Sequence, residues 1–219
     1  MTTANSPFLL HIGNKNYSSW SMRPWLLLRQ AGIPFDEHLI PLFVPGYEDE
    51  IRAVSPSGKL PALQHGDVTV WDSLAISAYL GELHPQLWPS DSAARAVARS
   101  VSAEMHSGFM ALRSAFTCNI RRRSPRTPSP EVQADIDRIA AIWTDCRTRF
   151  GQGGPFLFGT FSVADAMYGP ICFRFQTYGV NLSGVAGVYL AHMLATPAMQ
   201  ELAHAAAAEP YAIAKYDTM

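Results

Sequence analysis

Tyr17-Ser18-Ser19-Trp20-Ser21-Met22-Arg23-Pro24 joins one apolar run, Phe8 to Ile12, to a second, Trp25-Leu26-Leu27-Leu28. The first run has the length of a buried strand and is closed by Gly13-Asn14. The second reads as a helix. Pro24 suits its first turn, where a missing N–H costs little, and Gly32 suits its end. Small hydroxyl residues therefore stand where a strand hands over to a helix N-terminus. Such a terminus has free N–H groups and the positive end of the helix dipole, so it favours an anion such as a thiolate.

Working outward, Asp36 to Leu42 reads as a second strand, and Phe43 to Val54 as a short helix or an irregular segment. Pro61 to His65 and Val68 to Trp71 are strands joined by Gly66-Asp67, a good hairpin turn. Asp72 or Ser73 caps a helix through Leu74 to Leu80. The order is β-α-β-(α)-β-β-α. His84-Pro85-Gln86-Leu87-Trp88-Pro89 breaks that pattern, and every strong signal after it is helical. Helices are expected over Ser92 to Phe116, Pro130 to Phe150, Leu182 to Ala195 and Pro197 to Ala208. Another opens at Ser162, with Asp165 completing a capping box. The expectation is an α/β domain over 1–84, a linker over 85–91 and an all-α domain over 92–219.

Composition narrows the function. The 219 residues suit one large domain or two of roughly 100 residues each. At 48% hydrophobic and 16% charged, the chain can bury a sizeable core. A net charge of -1 argues against nucleic acid as a main partner. Cys118, Cys146 and Cys172 form neither a CxxC nor a zinc pattern, so reduced thiols and no metal are expected. The first residues lack a signal-peptide pattern, and no run approaches the ~20 apolar residues of a membrane span. A soluble, cytoplasmic protein with no membrane partner is expected.

Three local patterns carry chemistry. Ser18 and Ser21 can donate to a bound thiolate and lower its pKa, or one of them can simply cap the helix. Tyr17 offers a phenol as an alternative donor, or packs. Arg23 is expected to pair with a carboxylate in the interior or at a domain interface. Lys59-Leu60-Pro61 precedes a strand. A cis proline there would turn the Leu60 backbone toward a peptide ligand, while a trans one would only start the strand. Lys59 meets a ligand carboxylate or is solvated. Asp72-Ser73 heads a helix, where N–H groups and the Ser73 hydroxyl suit a carboxylate and Asp72 suits an ammonium. A plain cap explains that pair equally well in isolation. Together the patterns ask for a thiolate, a peptide backbone and an amino-acid head group. Glutathione carries all three.

The chain resembles the cytosolic glutathione transferases of the serine type. Its S-S-W-S-M-R run is similar to the S-S-C-S-W-R signature of the zeta class and the S-P-F-S-x-R of the tau class. In both, the catalytic serine stands five residues before the arginine, as Ser18 stands before Arg23. The cis-proline, the Glu/Gln-Ser pair and the S/T-x-x-D box match Leu60-Pro61, Asp72-Ser73 and Ser162-Val163-Ala164-Asp165. The resemblance implies a thioredoxin-like domain followed by an all-helical one, and a homodimer. It implies that Ser18 stabilises the glutathione thiolate and that Leu60 pairs with the cysteinyl backbone. It also implies that Asp72-Ser73 hold the γ-glutamyl end and Lys59 the glycyl carboxylate. Three departures stand out. Trp20 replaces the zeta-class cysteine, Asp72 is shorter than Glu or Gln, and Thr177 stands near the place of the zeta isomerase arginine, one turn beyond Arg174.

For the co-substrate, His106, Met110 and Arg113, with Met105 and Phe109, are candidates to face the cleft, although Met and Phe there suit a core better. Arg174 is a further candidate, and the Arg121–Arg126 loop either attracts an anion or is solvated. His11 is expected to be a core histidine. The expected function is a detoxifying glutathione transferase in which the thiolate attacks a small hydrophobic electrophile. The alternatives are a glutathione-dependent cis–trans isomerase of the maleylacetoacetate type and a non-catalytic glutathione- or ligand-binding protein.

Overall fold

The computed structural model describes residues 6–218; Met1–Asn5 and Met219, the outermost residues of the two expected domains, lie outside them. The chain runs β1 (Phe8–Ile12), α1 (Ser19–Gln30), β2 (Asp36–Leu39), α2 (Tyr47–Val54), β3 (Ala62–His65), β4 (Val68–Trp71) and α3 (Ser73–Leu83). A single 3-10 turn over Pro85–Leu87 leads to helices only. These are α4 (Ser92–Ser107), α5 (Met110–Ala115), α6 (Pro130–Phe150), α7 (Val163–Tyr178), α8 (Gly184–Ala195), α9 (Pro197–Ala208) and α10 (Ala214–Asp217).

The sheet order is β2-β1-β3-β4, with β1 parallel to β2 and antiparallel to β3, and β3 antiparallel to β4. This is a thioredoxin-like sheet followed by an all-α half. The β3–β4 hairpin turns at Gly66, whose φ of 56° needs no Cβ accommodation. Phe8, Leu10 and Ile12 alternate along β1 into the core, where α1 supplies Leu26, Leu27 and Leu28.

Several element ends differ from the sequence expectation. Helix α1 starts at Ser19, not at Pro24. Ser18 is the N-cap, with its Oγ accepting from Ser21 N, and Pro24 sits inside the helix. Proline's fixed φ fits there; what is lost is the one hydrogen bond its nitrogen cannot donate. Strand β2 ends at Leu39, before Pro41, and Leu42 N donates instead to Asn14 Oδ1 at 2.8 Å. The expected helix from Ser92 to Phe116 is broken at Gly108-Phe109, where Phe109 takes φ 61°. Arg113 Nη2 donates back to the carbonyls of Met105 and His106, filling the open end of α4. Helix α8 begins at Gly184, behind Ser183, and α10 was not foreseen.

Helix α7 is the axis of the helical half. All of its residues except Gln176 are buried, and it packs on α1, α4 and α8. The Ser162–Asp165 capping box forms as expected. Gly169 lets α7 approach α1, because a Cβ there would meet Leu26 Cδ1. Gly169→Ala is expected to destabilise the protein by about 1–3 kcal/mol through overpacking, read as a lower urea midpoint at unchanged slope. Among the described residues, no helix is long and apolar enough to cross a membrane.

Candidate functional site

A cavity of about 410 Å³ opens where the β3 entry, the head of α3 and the last turn of α4 meet. It brings together Lys59, Leu60, Pro61, Asp72, Ser73 and His106, with Trp20, Ser57 and Trp71 completing the wall. The Leu60–Pro61 peptide is cis. A larger cleft of about 800 Å³ lies between α6 and α8, and of the candidate residues it takes Arg126 alone, from the arginine loop. The chemistry follows the smaller cavity, because convergent polar groups decide a site and volume does not.

At the head of α3, Asp72 takes φ 74° and caps the helix, its Oδ1 accepting from Leu74 N at 2.8 Å and Ala75 N at 3.3 Å. Its Oδ2 lies 3.4 Å from His106 Nε2. Ser73 is buried, and its Oγ accepts a long contact from Arg23 Nη1 at 3.5 Å. Lys59 N donates to Ser57 Oγ, and the Lys59 ammonium forms no ion pair among the described residues.

At the start of α1 the hydroxyls form a chain. Ser18 Oγ donates to Ser21 Oγ at 2.8 Å, and Ser21 Oγ accepts from Gly13 N at 3.0 Å. Ser18 does not line the cavity; Trp20 does. The indole is 37% exposed and is fixed by two guanidinium groups, Arg23 at 4.2 Å and Arg113 at 4.7 Å from its centroid. His106 meets it edge-on at 5.3 Å.

Tyr17 faces away from this chain. Its hydroxyl donates to the Asp217 carboxylate at 2.8 Å and accepts from Arg121 Nη2 at 2.7 Å and Ile213 N at 3.2 Å. With its one proton spent on Asp217, the phenol is an anchor for the C-terminal segment and not a thiolate donor. Arg121 also holds the carbonyls of Glu209 and Tyr211, so the arginine loop begins as a brace and not as a solvated face.

Arg23 lies between α1 and α7, as an interface residue should, but no carboxylate pairs with it among the described residues. Its Nε donates to Met167 O at 3.2 Å, and the Trp20 ring covers it. A helix carbonyl and a π face have taken the place of the expected acid. Burial pushes its pKa well below the usual arginine value, and Arg113 and Arg174 add to the shift. Arg113 is lowered to about 10, by burial first and then by Arg174. Arg174 is lowered by burial and sits beneath Ser19, its Nη2 donating to Ser19 Oγ at 3.1 Å and its Nη1 to Phe116 O. Arg174 is thus packed in the interior and lines no substrate cavity, contrary to its candidacy. Met110 is 64% exposed and also lies outside the cavity. Together the three guanidinium groups set a positive field under the first turn of α1.

Two family models match this chain. One, described as the glutathione S-transferase N-terminal domain, covers residues 17–83, and the other, its C-terminal domain, covers 129–200. The chain belongs to the glutathione S-transferase family. Among relatives of this transferase, glutathione S-transferase L1 of Arabidopsis thaliana is 24% identical over 183 residues, 80% of this chain and 72% of the relative. Maleylacetoacetate isomerase of Rattus norvegicus is 34% identical over 102 residues, 44% of this chain and 47% of the relative. A glutathione transferase homolog from Burkholderia, solved with bound glutathione, superposes with TM-score 0.67 at 22% identity, covering 92% of this chain and 99% of its own. A tau-class enzyme from mango, Mangifera indica, gives 0.66 at 20%, covering 92% and 97%. At those identities the transferase shares their fold.

Sequence reasoning did not single out Ser57 or Trp71 as cavity wall, nor Glu209, whose carboxylate accepts from Lys15 N at 2.8 Å and Asn16 N at 3.2 Å. These contacts span 194 and 193 positions, and no local pattern announces them.

Proposed function

We propose that this protein is a glutathione transferase whose glutathione lies in the cavity of the unit 1–84, with the electrophile held against the helical unit 92–219. The observation that carries the reading is the meeting of Lys59, Leu60, Asp72 and Ser73 in one cavity. The Ser73 hydroxyl and the Ser73 backbone N–H at the head of α3 hold the γ-glutamyl carboxylate, and Asp72 holds its ammonium. Leu60 pairs with the cysteinyl backbone, and Lys59 meets the glycyl carboxylate. The sulfur turns toward the first turn of α1. There the helix dipole, the buried arginines and, once the Trp20 indole shifts, the Ser18 hydroxyl favour its ionised form. The thiolate then attacks a small hydrophobic electrophile.

A second reading, a glutathione-dependent isomerase of the maleylacetoacetate type, is favoured by the 34% identity of the rat isomerase over 102 residues. It needs the same thiolate, and it is opposed by the burial of Arg174. We propose a homodimer, supported by exposed Val68, Trp71 and Leu83 along β4 and α3.

Calorimetric titration with glutathione tests the reading. Wild type is expected to bind, and Ser73→Ala to bind about tenfold more weakly through the loss of one charge-assisted hydrogen bond. No binding by wild type overturns the glutathione reading.

A further inference from the structure

Asp72 has one oxygen to spare. Oδ1 is used by the first N–H groups of α3, at 2.8 and 3.3 Å, so only Oδ2 remains for a ligand. That oxygen faces His106 Nε2 at 3.4 Å, across from the helical half. The other ring nitrogen, Nδ1, is buried and has no hydrogen-bond partner among the described residues. A proton on Nδ1 would be a stranded donor, so the contact with Asp72 assigns the neutral ring's proton to Nε2. The ring cannot easily turn away, because Trp20 meets it edge-on at 5.3 Å and is itself stacked on Arg23 and Arg113.

Resting on the glutathione reading above, we infer that His106 is a positioning residue that controls whether Asp72 is free to hold the α-ammonium group of glutathione. A neutral Nε2–H orients Oδ2 and leaves the carboxylate its charge. An imidazolium in the same place would neutralise Asp72 and compete with the ligand's ammonium for the same oxygen.

The charged groups around the ring set the direction. Burial is the main cause holding His106 below the usual histidine value. Asp72, at the head of α3, works against it, while Arg23 from α1 and Arg113 from α5 add to it. Lys59, on the cavity wall, is a further cation. The ring is therefore neutral at neutral pH and takes its proton only in acid. Glutathione binding draws Asp72 toward the ammonium and so removes the one group that favours the imidazolium. Binding in acid must then expel a proton, and affinity must fall as the pH is lowered through the His106 titration.

The test is calorimetry with S-methylglutathione, whose sulfur cannot ionise, between about pH 5 and pH 8. Wild type is expected to lose about tenfold in affinity toward the acid end and to release protons on binding there, seen as a dependence of the heat on buffer ionisation. His106→Gln, which keeps a neutral N–H donor but cannot take up a proton, is expected to lose most of the slope. N-acetyl-S-methylglutathione has no ammonium; with unaltered protein it should bind more weakly, with little slope. Equal slopes in wild type and His106→Gln overturn the proposal, as does a full slope with the acetylated ligand. Failure of wild type to bind S-methylglutathione at any pH would instead remove the glutathione reading beneath it.

Discussion

Asp165→Ala is expected to cost about 3–5 kcal/mol, more than any other single change considered for this chain. The carboxylate is fully buried and accepts four hydrogen bonds. Oδ1 takes Leu157 N and the Tyr189 hydroxyl, both at 3.0 Å, and Oδ2 takes Ser162 N and Ser162 Oγ, both at 2.9 Å. Alanine leaves those donors without an acceptor in a region water does not reach, and it removes one half of the α7 capping box. Because α7 packs on α1 as well as α4 and α8, the loss reaches the helix that carries Ser18. Asp165→Asn, which keeps the shape but turns an NH₂ toward two of the donors, should fall between. Burial pushes the Asp165 carboxyl up to about 6 despite its donors, against about 3.9 for an exposed aspartate. The folded chain thus binds this proton before the unfolded chain does. The stability it contributes is complete below about pH 4 and is lost as the pH rises through about 6, a slope that Asp165→Asn lacks. Urea midpoints for the three proteins across that range check both claims. An Asp165→Ala midpoint matching wild type would sink the first.

The same residue marks what a sequence reveals. Asp165 and Ser162 are three apart, and the box they form is written in their spacing. So are the Gly66-Asp67 turn, the Asp72 cap and the Pro130 helix start. Signals carried by neighbours on the chain survive folding because tertiary packing does not have to supply them. Pro24 misled because proline is tolerated within a helix when packing holds the rest. The break at Gly108-Phe109 was hidden by continuous helical spacing; it takes Arg113 folding back on the α4 carbonyls, and Asp135 Oδ2 accepting from Leu112 N at 2.9 Å, to stabilise it. Within the site, Lys59-Leu60-Pro61 and Asp72-Ser73 were local patterns, and the fold brings them together. Tyr17 was placed beside Ser18 by adjacency alone. At a helix N-terminus consecutive residues point to different sides, and its hydroxyl reaches Asp217, 200 positions away. Arg23 was right in place and wrong in partner, since a burial site between two helices offers carbonyls and aromatic faces as readily as acids.

Ser18→Ala is expected to lower kcat/KM for a model electrophile by about 10²–10³-fold, the cost of one donor aimed at a developing or resident anion. Glutathione affinity should change little, because Ser73, Asp72, Leu60 and Lys59 are untouched. The Ser18 proton now goes to Ser21 Oγ, whose acceptor capacity is also used by Gly13 N. Hydroxyl protons rotate at little cost. An arriving thiolate would reverse the pair, so that Ser21 donates to Ser18 and Ser18 to the sulfur. The thiol pKa of bound glutathione, followed by thiolate absorbance, should therefore rise in Ser18→Ala. In Ser21→Ala it should rise less, because Ser18 keeps its proton and loses only its support. Stability cannot mimic this result. The Ser21 N to Ser18 Oγ cap is long, 3.4 Å, so its loss is worth only about 0.5–1 kcal/mol. If Ser18→Ala keeps both its rate and its low thiol pKa, the thiolate is held by the α1 N-terminus and the field of Arg23, Arg113 and Arg174. Ser18 would then be a helix cap, and Trp20, which already forms the cavity wall, would have no reason to move.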